Sequence, residues 1–419
     1  MAANSYWQLE KKYYTIVEEH DLVIRLIEHE DITRTEGDDT VTESKPSKVH
    51  EFKVKRDALL SSGPYFRKLL SDGSFKEASQ DTVDLHEDSA KGMTIWFKIL
   101  HGSVDDTTYQ ASIDDLWHLL ATAHKYGFDP KSEAAVGWFG KWYDVQTRNH
   151  ERSFDYKEHA QLLFPCYTFD HAQGFRAATK YLVYRATGHI VERRPLGFQY
   201  EHLRLDQNIL QQLNAAKGRL KTILHRNLYN PIDDLLKRAR CRCKANVLYA
   251  FEQGLANTGA WPLETAFLNN SVERVLKFLD NFPGPHTFIP QTCGARYCSF
   301  DFAYVVGNAR MECKRYFDGL CLDCMNASNP KLNDADEDYW KHSKLGVHWD
   351  QGCRIRHQQP SWYFSFLGRR QKMVEWVDST RDNHRHGRGV PGGAGGGQAA
   401  APEAAVESQE IPLQDLSLQ

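Results

Sequence analysis

The chain lacks any uninterrupted apolar run long enough to cross a bilayer, which excludes a membrane helix as its organising feature. Its first residues, MAANSYWQLEKK, carry no long apolar core of a secretory leader, so an intracellular protein is expected, with nucleus and cytoplasm both open. Neither sign of charge is in excess: 52 Lys and Arg stand against 55 Asp and Glu, a formal net charge of −3. Binding nucleic acid through bulk charge is thereby disfavoured. The short basic run His384, Arg385, His386 and Arg388 reads as a solvated tail. Cysteine is scarce at the front, where only Cys166 of the nine precedes residue 241. An odd, clustered set is not a secreted disulfide framework and points to a reducing compartment with a local metal site. The motifs of hydrolases, nucleotide-binding loops and zinc proteases are missing too. Gly392 to Gly397 follows no strand and opens no helix, so it is a linker, and no enzyme is expected.

Aromatic residues are plentiful: ten Trp, nineteen Tyr and twenty-one Phe supply bulk for a large core. Five segments follow from the patterning. Residues 1–18 form an N-terminal segment, and 19–147 an α+β domain with a small sheet and helices over it. A mainly helical region runs over 148–282, a Cys/His-rich region over 283–380, and a Gly, Ala and Pro-dominated tail, expected to be disordered, over 381–419. Asp21 to Ile27 predicts a strand buried on both faces, Glu28 to Lys48 an exposed hairpin loop, and Phe52 and Val54 the returning strand. Two short helices should meet at Gly63-Pro64. Thr82 to Leu85 is a short strand. Three amphipathic helices then carry Met93, Trp96, Phe97 and Leu100, next Ile113, Leu116, Trp117 and Leu120, and last Ala135, Trp138, Phe139 and Trp142. Further on, Asn230-Pro231 reads as a helix start.

The segment KVHEFKVKRDALLSSGPYFRKLL, preceded by HDLVIRLI and followed by SFKEASQDTVDL, resembles the BTB/POZ domain over roughly residues 19–128. The matching residues are Asp21, Val54, Leu59, Leu60, Ser61, Tyr65, Phe66 and Leu85. Two positions depart from the family pattern: Lys55 stands where His is common, and Gly63 where Ser is common. The phrases LLFPCYTFDHAQGF, QLNAAKGRLKTIL, WPLE, YFDGLCLDCM, DYWKH and CRIRHQQPSWYFSFLGR are similar to the long C-terminal part of fungal BTB-domain proteins. The resemblance implies a protein–protein interaction scaffold or adaptor, commonly self-associating. Trp7, Tyr13, Tyr14 and Val17 would then form a dimer arm or pack on their own domain. A cullin-type ubiquitin ligase adaptor is an alternative, with Phe97 as the helix-face position to test. A DNA-contacting zinc protein is a lesser alternative, and a zinc hydrolase lacks an assigned acid–base residue.

Zinc takes about four N or S ligands, often in close pairs on turns. Four such pairs are present: Cys241-x-Cys243, Cys293-x4-Cys298, Cys321-x2-Cys324 and Cys353-x3-His357. They would make two structural zinc sites. A ribbon-like combination joins Cys293 and Cys298 to Cys321 and Cys324, leaving Cys241, Cys243, Cys353 and His357 for the second. Core thiols are the competing reading, strongest for Cys241 and Cys243 and adopted for Cys166 and Cys313.

Overall fold

A computed structural model describes residues 9–36, 39–71, 75–86, 89–148, 154–283, 301–323, 325 and 353–355, with backbone alone over 31–36 and 39–43. The front of the chain is a four-stranded mixed sheet in the order β1-β3-β2-β4. Strand β2 (Leu22–Glu36) and strand β3 (Asp39–Val54) form an antiparallel hairpin. Strand β4 (Thr82–His86) lies parallel to β2, and β1 (Glu10–Thr15) parallel to β3. Leu22, Ile24 and Leu26 are buried, whereas Val23 and Arg25 are half-buried. The other face of β2 buries Ile27 but leaves Val23 and Arg25 half-covered, so the two-faced burial expected of this strand is met only at its Ile27 end. That face is usable because Arg25 pairs with Asp84 across the β2–β4 register, at 2.6 and 2.9 Å.

The expected loop over 28–48 is also corrected. The ladder continues from Leu22↔Val54 to Glu36↔Asp39, with one register shift at Glu28/His29. A polar run can hold strand geometry when each backbone group finds a ladder partner.

Helix α1 (Arg56–Ser62) and helix α2 (Pro64–Leu70) meet at Gly63 as expected. Asp21 Oδ1 accepts from the Arg56 backbone N–H at 2.7 Å, tying the entry of β2 to the start of α1. Gly63 is needed for closeness: a Cβ there would lie 2.4 Å from the Gly127 carbonyl oxygen. Helix α3 (Ala90–Leu100) is capped by Ser89, and α4 (Ile113–Tyr126) by a Ser112–Asp115 capping box. Helix α5 (Glu133–Arg148) buries Ala135, Trp138, Phe139 and Trp142. Phe97 is fully buried, edge-on to Phe52 at 5.3 Å, so it offers no surface for a partner.

The remainder of the described chain is helical: α6 (Tyr156–Thr168), α7 (Ala172–Arg185), α8 (Gln207–Arg238), α9 (Lys244–Thr258), α10 (Leu263–Asn269), α11 (Val272–Phe278) and α12 (Phe302–Tyr316). Helix α8 runs through Pro231, where the sequence predicts a start. An interior proline forfeits one helical hydrogen bond. Leu228 and Leu235, buried on either side of it, hold the helix against its neighbours.

One core joins the sheet to these helices. Trp117 of α4 stacks on Phe164 of α6 at 5.1 Å, and its indole N–H donates to the Gln161 carbonyl at 3.0 Å. Phe169, just past α6, stacks on Phe139 at 4.6 Å. Among the described residues no helix is long and apolar enough to cross a membrane. The expected tail over 381–419 lies outside the described residues.

Candidate metal centre

The segment after α12 is fastened to α7 before it reaches its first cysteine. Arg176 Nε donates to the Asp318 carbonyl at 2.9 Å, and Lys180 Nζ to its carboxylate at 2.8 Å. Burial alone would push Asp318 up, but the Lys180 hydrogen bond and the Arg176 charge hold it below its ordinary value. Gly319 adopts a left-handed φ of 95° and passes so close that a Cβ would fall 2.3 Å from the Arg176 carbonyl oxygen. Only glycine suits both demands. The Leu320 N–H then donates to Thr179 Oγ1 at 2.9 Å. Cys321 follows, fully buried, and its carbonyl accepts from the Met325 N–H at 3.0 Å.

Opposite it stands Cys353, half-buried. One ligand atom each from Cys321, Asp323 and Cys353 lies within 4.8 Å of the other two. This group can hold a metal ion. A tetrahedral thiolate centre with bonds of about 2.3 Å keeps its sulfurs about 3.8 Å apart, so the donor set needs only a small contraction.

Arg354 brings the two stretches together. Its backbone N–H donates to Asp323 Oδ2 at 2.8 Å and its Nε to Oδ1 at 2.9 Å. Its Nη atoms reach Asp170 in the α6–α7 turn, donating to both carboxylate oxygens at 2.9 and 3.0 Å and to the carbonyl at 2.8 Å. The Asp170 hydrogen bonds push the guanidinium further above its already high value, so the clip is charged at any ordinary pH. Asp170 takes a positive φ of 53°, which turns the chain so that its carboxylate can meet Arg354. Both carboxylate oxygens of Asp323 thus already accept from Arg354, leaving their remaining lone pairs for an ion.

Spacing alone singles out Cys321 and Cys353, but their combination differs from the ribbon-like one. Cys353, which that combination assigns to the other site, lies beside Cys321, with Arg354 tied to Asp323 and Asp170. Cys241 and Cys243 lie together in the α8–α9 turn, with Sγ atoms 3.2 Å apart. Cys293, Cys298, Cys324 and His357 lie outside the described residues. Cys166 and Cys313 are packed in the core, as expected. Burial pushes the Cys313 thiol up to about 12 and Cys166 higher still, which leaves both poor nucleophiles. Asp170 and Arg354 lie within two of the phrases singled out in the sequence, LLFPCYTFDHAQGF and CRIRHQQPSWYFSFLGR, but nothing in either phrase shows that the two residues meet. Comparison of the chain with protein-family models, curated proteins and solved structures finds no match.

Proposed function

We propose that the chain is a BTB/POZ-like interaction scaffold whose rear section is clipped by structural zinc. The single observation that carries the interaction reading is the sheet edge at β1. Among the described residues no strand pairs with the outer side of β1, and an open edge is a template for another chain. Tyr13 stands out from that strand, 66% exposed, while Tyr14 turns inward, stacks on Phe52 at 4.7 Å and bonds its hydroxyl to His50 Nδ1 at 3.1 Å. Trp7 lies outside the described residues. The order of elements supports the family reading: a hairpin, two helices meeting at Gly63-Pro64, a strand parallel to the first, then helices. A second copy of the chain is the partner this reading favours, with a cullin-type adaptor role as the alternative. No catalytic role is part of it.

Zinc is the proposed metal because paired thiols in a reducing compartment favour it over Mg2+ or Ca2+, which prefer oxygen ligands. Its work would be structural: Cys321 is buried, and its surroundings are committed to the Arg354 clip.

Light scattering across the micromolar range tests the scaffold. The wild type is expected to show a concentration-dependent dimer, and Tyr13→Glu to weaken it at least tenfold with unchanged circular dichroism. A wild type that stays monomeric throughout sinks the self-association reading. Capture of a cullin by such a monomer would move the proposal to the adaptor role.

A further inference from the structure

Among the described residues, Cys241 and Cys243 do not join the group of Cys321, Asp323 and Cys353. Ligand atoms of Cys321, Asp323 and Cys353 gather within 4.8 Å of one another, and neither Sγ of the Cys241–Cys243 pair is among them. Their places in the chain differ accordingly. Cys313, a short way before Cys321, donates its thiol to the Leu220 carbonyl at 3.6 Å. Helix α8 continues from Leu220 to Arg238, about 27 Å of helix axis, before the turn that carries Cys241.

The geometry of the pair itself is unusual for two residues apart. Neighbours at i and i+2 diverge on a helix and give no shared face. Here Cys241 sits in a bend, and Cys243 already has helical backbone angles of −70° and −13° as the residue before α9. That change of direction swings both thiols to one side. Their separation of 3.2 Å, a thiol–thiol hydrogen bond, is far longer than a disulfide bond of about 2.05 Å, and a widening of about 0.6 Å would bring it to the edge of a zinc-thiolate tetrahedron. Both side chains are half-buried against the core, while Arg240 and Arg242 on either side of Cys241 are exposed. With Lys244 and the N-terminus of the fifteen-residue α9, these cations can balance a pair of thiolates.

We infer that the chain has two separate thiolate metal centres, and that Cys241 and Cys243 are ligands of the second, which takes a thiophilic d10 cation of the zinc type. The inference deepens the zinc reading above and rests on it. The second centre lies where α8 hands over to α9, so its ion would fix the angle between those helices, as the first fixes the segment after α12 to the α6–α7 turn.

The test uses the full chain, purified reduced and without chelators, with zinc counted by elemental mass spectrometry. About two zinc per chain are expected. Cys241→Ser/Cys243→Ser should lose half and keep the rest; Cys321→Ser/Cys353→Ser should do the same; the fourfold variant should hold none. Cys166→Ser/Cys313→Ser, in the core, should lose none. A Cys241→Ser/Cys243→Ser chain with undiminished zinc overturns the second centre and leaves the first standing. Loss of all zinc from either double variant means one shared centre and overturns the partition. A wild type without zinc brings down the zinc reading as a whole. Peptide mapping that finds Cys241 and Cys243 joined as a disulfide in the metal-loaded chain also overturns the second centre. Should the serine variants fail to fold, Cys241→His and Cys353→His in cobalt-substituted protein replace them. Each should retain cobalt and shift only its own thiolate absorption band, and a spectrum indifferent to Cys241→His rejects the assignment.

Discussion

At position 63 a methyl group has nowhere to go, since the Gly127 carbonyl oxygen occupies its place. Neither partner can yield cheaply, because Gly127 itself has a left-handed φ of 70° and lies against the Pro64 ring. Gly63→Ser, the residue the family pattern favours, is therefore expected to cost about 1–3 kcal/mol, read as a lower urea midpoint with unchanged slope. His159 makes a different kind of demand. It is buried, stacks on Tyr181 at 4.0 Å, and its Nδ1 has no hydrogen-bond partner among the described residues. Burial lowers its pKa to about 4, against the pull of Glu158 and Asp155. Between that value and about 6.5 the unfolded chain takes up a proton that the folded chain refuses. Stability from this residue is therefore full above about pH 6.5 and declines as the pH falls towards 4, by up to about 3 kcal/mol. His159→Phe should flatten that part of the profile. Equal slopes for the two proteins in urea melts from pH 7 to 4.5 would refute the account.

Among the elements, the clip at Arg354 makes the clearest demand on chemistry. A planar guanidinium satisfies Asp170 and Asp323 together, which an ammonium cannot imitate. Arg354→Lys should weaken metal binding about 10- to 100-fold, the usual effect of losing an outer-shell partner. Competition with a chromophoric chelator measures this, with unchanged helix content by circular dichroism as the expected control. The elements also divide by how far they could be read from residues alone. Helices α3, α4 and α5 announce themselves by apolar spacing, and Gly63-Pro64 marks the α1–α2 junction. The far end of the β2–β3 hairpin does not, because its polar residues show no apolar alternation and the ladder is formed by backbone groups. Pro231 misleads for the opposite reason: a strong local rule yields to the burial of Leu228 and Leu235. At the candidate centre, spacing identifies Cys321 and Cys353 one by one. That Cys321 and Cys353 come together could not be read, because the Arg354 clip that joins them reaches Asp170, far away in the chain.

Among the described residues there is no seam between the sheet-bearing front and the helices that follow it. The boundary near residue 147 separates stretches of different patterning, yet the rings on both sides share one core. Phe169 meets Trp96, Trp138 and Phe139, and Phe164 covers Trp117. The sheet-bearing front and the helical remainder thus stabilise each other, and any partner held at β1 is held by the entire body. That has a practical corollary for anyone cutting the gene. A fragment ending at Arg148 would bare Trp117 and Phe139 to water, and one ending at Arg185 would bare Leu182 and Val183 instead, so both should come out of the ribosome sticky.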